Sequence, residues 1–154
     1  MALLCSTVVF ATALPRIAFA QSALVGTWML VSCDGPASGN SPLFCDNPSG
    51  SFNLDANGRY TLLITPRGRP KSAASAGISR TARANVPPED YKAAAQGIVA
   101  QFGTWLVNES DKTLTRKIEG ALFSNVEGIE AKFSVRLTGD ELKLSDGTVW
   151  RRAK

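Results

Sequence analysis

The stretch Ile129-Glu130-Ala131-Lys132-Phe133-Ser134-Val135-Arg136-Leu137-Thr138 decides the fold class. Ile129, Ala131, Phe133, Val135 and Leu137 fall on one face, and Glu130, Lys132, Ser134, Arg136 and Thr138 on the other. Successive side chains of a strand point to opposite faces, so this strict period of two predicts a strand with one apolar and one solvated side. Residues 113–120, 141–145 and 148–152 alternate in the same way, as do residues 104–108. The breaks between them, Asn108-Glu109-Ser110-Asp111, Gly139-Asp140 and Asp146-Gly147, are turn residues. The C-terminal half therefore reads as an antiparallel meander.

The N-terminal half continues the pattern. Residues 24–33 form a first strand rich in Val, Leu and Trp, and residues 34–50, rich in Gly, Pro, Ser, Asn and Asp, form a loop. Residues 51–56 and 59–65 flank Asn57-Gly58, which predicts a tight hairpin with positive φ at both positions. Residues 66–86 read as an exposed segment with room for one edge strand. One helix is predicted over residues 88–102. Pro87, Pro88, Glu89 and Asp90 start it, Tyr91, Ala95, Ile98 and Phe102 share a face, and Gly103 ends it. This makes about eight or nine strands, and closure into a barrel would remove exposed edges, with an open sandwich as the alternative.

Composition bounds the function. The chain has 154 residues and 44% hydrophobic content, enough for one domain with a packed core. The net charge of +4 comes from 17 basic and 13 acidic residues that are spread along the chain, with small basic groups at Arg67, Arg69 and Lys71 and at the C-terminus. A nucleic-acid binder clusters such charge on one face, so nucleic acid is not an expected partner. There is no histidine. That excludes His-ligated zinc or haem and any His-based nucleophile pair, and neither a metal nor a cofactor is expected.

Residues 2–14 are an apolar run of signal-peptide length, too short to span a bilayer, and Ala18-Phe19-Ala20 supplies the small residues that a signal peptidase needs. Residues 1–20 are thus expected to be a signal peptide cut before Gln21, leaving residues 21–154 as a periplasmic or secreted domain without an integral membrane segment. A hydrophobic first strand is the alternative. Export would remove Cys5 and leave Cys33 and Cys45, an even pair that predicts a disulfide.

Gly26-Thr27-Trp28 matches the Gly-x-Trp signature of lipocalins and related calycin barrels. In those families an Arg of the last strand lies across the Trp ring, and this chain ends Val149-Trp150-Arg151-Arg152, so Arg151 or Arg152 is expected there. The chain from Gly26 to Lys154 further resembles the bacterial lipocalin-like domain family. The match is carried by Asn57-Gly58-Arg59-Tyr60, Tyr91-Lys92-Ala93, Phe102-Gly103-Thr104-Trp105, Ile118-Glu119-Gly120 and Leu137-Thr138-Gly139-Asp140-Glu141-Leu142-Lys143. The resemblance implies an all-β, antiparallel lipocalin-like barrel plugged or lidded by a short helix. It implies little about activity. Relatives often carry His at the positions of Gln101 and Lys117 and Trp at that of Val126, so any His-dependent site would be absent here.

Candidate ligand-binding residues are Tyr60, Trp105, Arg116, Lys117 and Phe133. Leu114, Arg116, Ile118 and Gly120 share one face of their strand, and Thr113, Thr115, Lys117 and Glu119 the other. If the apolar face is inward, Arg116 is a charge among apolar neighbours and needs a carboxylate or an anionic ligand, or else a barrel mouth where it can reach water. If the polar face is inward, Lys117 and Glu119 line the cavity. The leading functional reading is a binding protein for a small hydrophobic molecule, with or without an acidic group. The rivals are an isomerase- or cyclase-type enzyme acting on such a molecule and a structural envelope protein with a filled barrel.

Overall fold

The computed structural model describes residues 17–33, 47–69 and 86–154, with side chains from Gln21 onward in the first stretch. A helix α1 (Ile17–Leu24) leads into eight strands: β1 (Gly26–Cys33), β2 (Pro48–Leu54), β3 (Arg59–Pro66), β4 (Val99–Asn108), β5 (Thr113–Ala121), β6 (Glu130–Thr138), β7 (Glu141–Leu144) and β8 (Thr148–Arg152). A second helix, α2 (Pro88–Ala95), precedes β4. Each strand pairs with its chain neighbour, and β8 pairs with β1, so the sheet closes into an antiparallel barrel in simple up-and-down order. Closure leaves none of the described strands at a sheet edge. No helix among the described residues is long and apolar enough to cross a membrane.

Alternation in the sequence becomes inside and outside in the barrel. Trp28 and Leu30 of β1, Phe52 and Leu54 of β2, Tyr60, Leu62 and Ile64 of β3, and Leu142, Leu144 and Trp150 of β7 and β8 are all buried in one core. The β6 pattern holds from Glu130 onward, with Glu130, Lys132, Ser134 and Arg136 exposed, but Ile129, read as the first inward residue, lies before the strand and is exposed. Its inward residues Ala131, Phe133, Val135 and Leu137 are only partly buried, in contrast to the opposite wall.

Four local expectations are corrected. The helix spans Pro88–Ala95, not residues 88–102. Gly97, at φ 75°, turns the chain, and Val99 to Phe102 become strand, hydrogen-bonded to β3 on one side and, from Gln101, to β5 on the other. Pairing on both sides outweighs a helical apolar spacing. No residue of α2 is buried, so it does not plug the barrel. The first strand begins at Gly26, with Leu24 at the end of α1. Residues 48–50, read as loop, pair with residues 64–66, Pro48 taking the first strand position, where a missing N–H is tolerated.

The hairpin at Asn57-Gly58 is a wider turn, Asp55 to Gly58. Asp55 Oδ1 accepts hydrogen bonds from the amides of Asn57 (2.9 Å) and Arg59 (2.8 Å), and only Gly58 of the two predicted residues has a positive φ. The segment of residues 70–85, including Lys71, and most of the loop after β1, including Cys45, lie outside the described residues.

Candidate functional site

Among the described residues, one charged side chain, Arg116, is buried in the barrel interior. Residues Leu114, Arg116, Ile118 and Gly120 of β5 point inward and are buried, and Arg116 is 6% exposed. Its guanidinium carbon lies 4.4 Å from the centre of the Phe133 ring, 5.4 Å from that of Phe52 and 5.6 Å from that of Tyr60. These distances fall within cation–π range. Phe133 sits opposite Leu114 on β6, Phe52 comes from β2 and Tyr60 from β3. Three strands thus build an aromatic box around a cation carried by a fourth. Phe52 and Tyr60 meet edge to face, with ring centres 6.1 Å apart.

The box leaves two polar atoms unsatisfied. Arg116 Nε and Tyr60 Oη are buried and have no hydrogen-bond partner. Among the described residues, no carboxylate forms an ion pair with Arg116. Asp146 attracts it electrostatically, but its Oδ1 already accepts hydrogen bonds from the Thr148 amide (2.9 Å) and hydroxyl (2.6 Å). Burial pushes the Arg116 guanidinium below its ordinary pKa, against the pull of Tyr60 and Asp146. Burial likewise raises the Tyr60 hydroxyl, opposed by Arg116. Native interiors satisfy nearly all buried polar groups, so two orphans in one compartment call for an explanation.

A cavity of about 600 Å³ adjoins this wall of the barrel. Leu24, Val107, Val135 and Leu137 form the apolar part of its lining, and Glu109, Asp111, Lys112, Ser134 and Arg136 the polar part. Phe133 and Val135 are successive inward residues of β6, so the aromatic box and the cavity share one wall.

A second arginine closes one end of the barrel. Arg152 lies 4.2 Å from the Trp28 ring centre. Its Nη1 and Nη2 donate to the carbonyls of Val25 (2.8 Å) and Ala23 (2.7 Å), and its Nε is 3.6 Å from Asp140. Trp28 Nε1 donates to Leu24 O at 2.9 Å. The carbonyls left over at the end of α1 are therefore held by the residues that close the barrel, and a cation suits a helix C-terminus. Gly26 makes the approach possible: at φ 141° it takes a conformation that side chains avoid, and a Cβ there would lie 2.8 Å from Arg152 Nη1.

The predicted residues therefore separate into groups. Tyr60, Arg116 and Phe133 come together inside the barrel. Trp105 is buried, but its Nε1 donates to Asp55 O (3.2 Å), so it braces the β2–β3 turn rather than joining the box. Lys117 is exposed on the outer face and does not line the interior. Glu119 is outside too, paired with Arg59 through two hydrogen bonds of 2.8 and 2.7 Å; that pairing holds the Glu119 carboxyl below its usual range. The apolar face of residues 113–120 is thus the inward one.

Gly26, Trp28 and Arg152 form the closed end. Arg151 is exposed and stands opposite Met29. Cys33 is buried at the end of β1, and its predicted partner Cys45 lies outside the described residues. Phe52 was not singled out from sequence, although its alternation with Leu54 on a strand preceding a turn marked it as inward.

Comparison with known proteins agrees with this architecture. Residues 25–153 match the sequence pattern described as a lipocalin-like domain. Among solved structures, the chain is similar to the lipoprotein YedD from Klebsiella pneumoniae, at 12% identity and a TM-score of 0.43, over 86% of this chain and 74% of that one. No curated protein matches the chain. A closed eight-strand barrel, a Gly-x-Trp strand capped by a C-terminal arginine and a sequence match over nearly the whole barrel place this chain in the lipocalin-like domain family.

Proposed function

We propose that this chain is an exported protein that binds a small, largely hydrophobic molecule inside its barrel. The observation that carries this reading is the asymmetry of the interior. The β8–β1–β2–β3 wall is packed tight, whereas the inward β6 residues Ala131, Phe133, Val135 and Leu137 stay partly exposed beside a cavity of about 600 Å³. That volume is in the range of small-molecule pockets.

The test is a fluorescence titration with the neutral apolar probe N-phenylnaphthylamine. Saturable binding of one probe per chain is expected, and Val135→Trp, which fills the cavity, should abolish it. Absence of saturable binding, or binding indifferent to Val135→Trp, would overturn the reading.

Export is supported by the small-residue ending Ala18-Phe19-Ala20 and by where α1 is anchored. Arg152 and Trp28 hold the carbonyls of Ala23, Leu24 and Val25, all beyond the expected cut, so cleavage before Gln21 would leave those contacts intact. N-terminal sequencing of envelope protein should begin at Gln21. A chain recovered only with Met1 would contradict export. A Cys33–Cys45 bridge belongs to the same reading. It would tie the end of β1 to the following loop and stabilise by about 3 kcal/mol. Thiol labelling of denatured, unreduced protein should find neither cysteine free.

A further inference from the structure

We infer that the molecule bound in the barrel carries a carboxylate, which Arg116 and Tyr60 hold between them. The inference rests on the binding reading above and names the chemical class of its ligand.

The argument starts from the charge. Arg116 stays cationic at any physiological pH, because an ordinary guanidinium has far to fall before it loses its proton. Three aromatic rings surround it and no described carboxylate forms an ion pair with it; Asp146 attracts it, but its Oδ1 is taken by Thr148. Aromatic faces recover part of the lost hydration, but they accept no hydrogen bond from Nε in this arrangement. A trapped water could accept that bond, yet it would not neutralise the charge. An anion does both.

Tyr60 Oη then supplies a second donor in the same compartment, also without a partner. Two donors, one of them cationic, match the two oxygens of a carboxylate, and such charge-assisted bonds are short and strong. One positive charge selects a single negative one. Beyond the head group, Phe133 leads along β6 to Val135 and Leu137, which with Val107 and Leu24 form the apolar part of a lining that also includes Glu109, Asp111, Lys112, Ser134 and Arg136. The complementary ligand is an amphiphile with a carboxylate at one end and an apolar body.

The experiment is displacement of N-phenylnaphthylamine from the full-length chain by dodecanoic acid, methyl dodecanoate and dodecanol at neutral pH, together with thermal melts. The acid should compete about tenfold more tightly than the ester or the alcohol, the scale of a charge-assisted hydrogen bond. In Arg116→Met that preference should fall to about one, without loss of melting temperature in the free protein, and dodecanoate should no longer raise the melt. In Tyr60→Phe the preference should drop about threefold.

Equal competition by all three compounds would overturn the carboxylate anchor and leave hydrophobic binding standing. A probe that does not bind would remove both. Should Arg116→Met fail to fold, the isosteric Tyr60→Phe decides alone, and an unchanged acid preference there overturns the proposal.

Discussion

Two arginines of this barrel lie against aromatic rings, and they differ in everything else. Arg152 sits 4.2 Å from Trp28, partly open to water, with two backbone carbonyls accepting its hydrogen bonds and Asp140 close to its Nε. Arg116 sits 4.4 Å from Phe133, buried, with Nε unpaired. The first arrangement is complete: it joins the last strand to the first and to the helix before it, and every group has a partner. The second is incomplete. Cation–π contact alone does not distinguish them. The presence or absence of hydrogen-bond acceptors does, and it separates a side chain whose donors the fold satisfies from one that it buries with a donor unpaired, the anchor proposed above.

The largest effect should come from breaking the complete site. Trp28→Ala removes a fully buried indole from the closed end and should cost about 3–5 kcal/mol in a denaturant melt. A cost near zero would mean that the end is not closed by this ring. Next comes Arg152→Ala, at about 1–2 kcal/mol from lost stacking and lost helix-end hydrogen bonds. Its effect should not add to that of Trp28→Ala, because the two side chains touch, whereas the exposed Arg151→Ala should stay within about 0.5 kcal/mol. Additive losses, or equal losses for both arginines, would break the assignment of Arg152 to the closed end.

The incomplete site should respond in the opposite direction. Arg116→Met removes a buried charge without a partner and keeps most of the apolar volume, so stability should rise by about 1 kcal/mol. A strong loss of stability would make Arg116 a structural residue like Arg152 and erase the contrast. The smallest effect is expected for Tyr60→Phe. The hydroxyl has no partner to lose, and the melt should move by less than about 0.5 kcal/mol, toward greater stability if at all. A clear destabilisation would reveal a hydrogen bond to Tyr60 in solution.

The two walls of the barrel extend the same contrast. Trp28, Trp150, Phe52, Leu54 and Leu142 fill one side to the point where none is appreciably exposed. Across from them the β6 stripe has the same apolar character in sequence but keeps part of its surface open. Apolar alternation predicts which face turns inward. It does not say whether that face meets a neighbour or a space, because that depends on side chains brought from strands far away in the chain.

What the sequence determined by itself is whatever depends on near neighbours. The period of two in residues 113–120, 130–138, 141–145 and 148–152 places the residues of each strand inside or outside, since a strand alternates wherever it lies, whereas Ile129, just before its strand, escapes the pattern and is exposed. The turns at residues 108–111, 139–140 and 146–147 follow from residue types that adopt turn conformations locally. Gly26, Trp28 and a terminal arginine were legible as a closing device, although the choice of Arg152 over Arg151 needed the register of β8 against β1. Tertiary structure alone decided the rest. Val99 to Phe102 are strand because β3 and, from Gln101, β5 offer them hydrogen bonds, and the helix stops where Gly97 lets the chain turn. The sequence posed Arg116 as a problem with several answers. Only the closed barrel, which brings Phe52, Tyr60 and Phe133 around it from three other strands and leaves its Nε without an acceptor, picks out the buried answer, because burial and pairing are properties of contacts that no local segment contains.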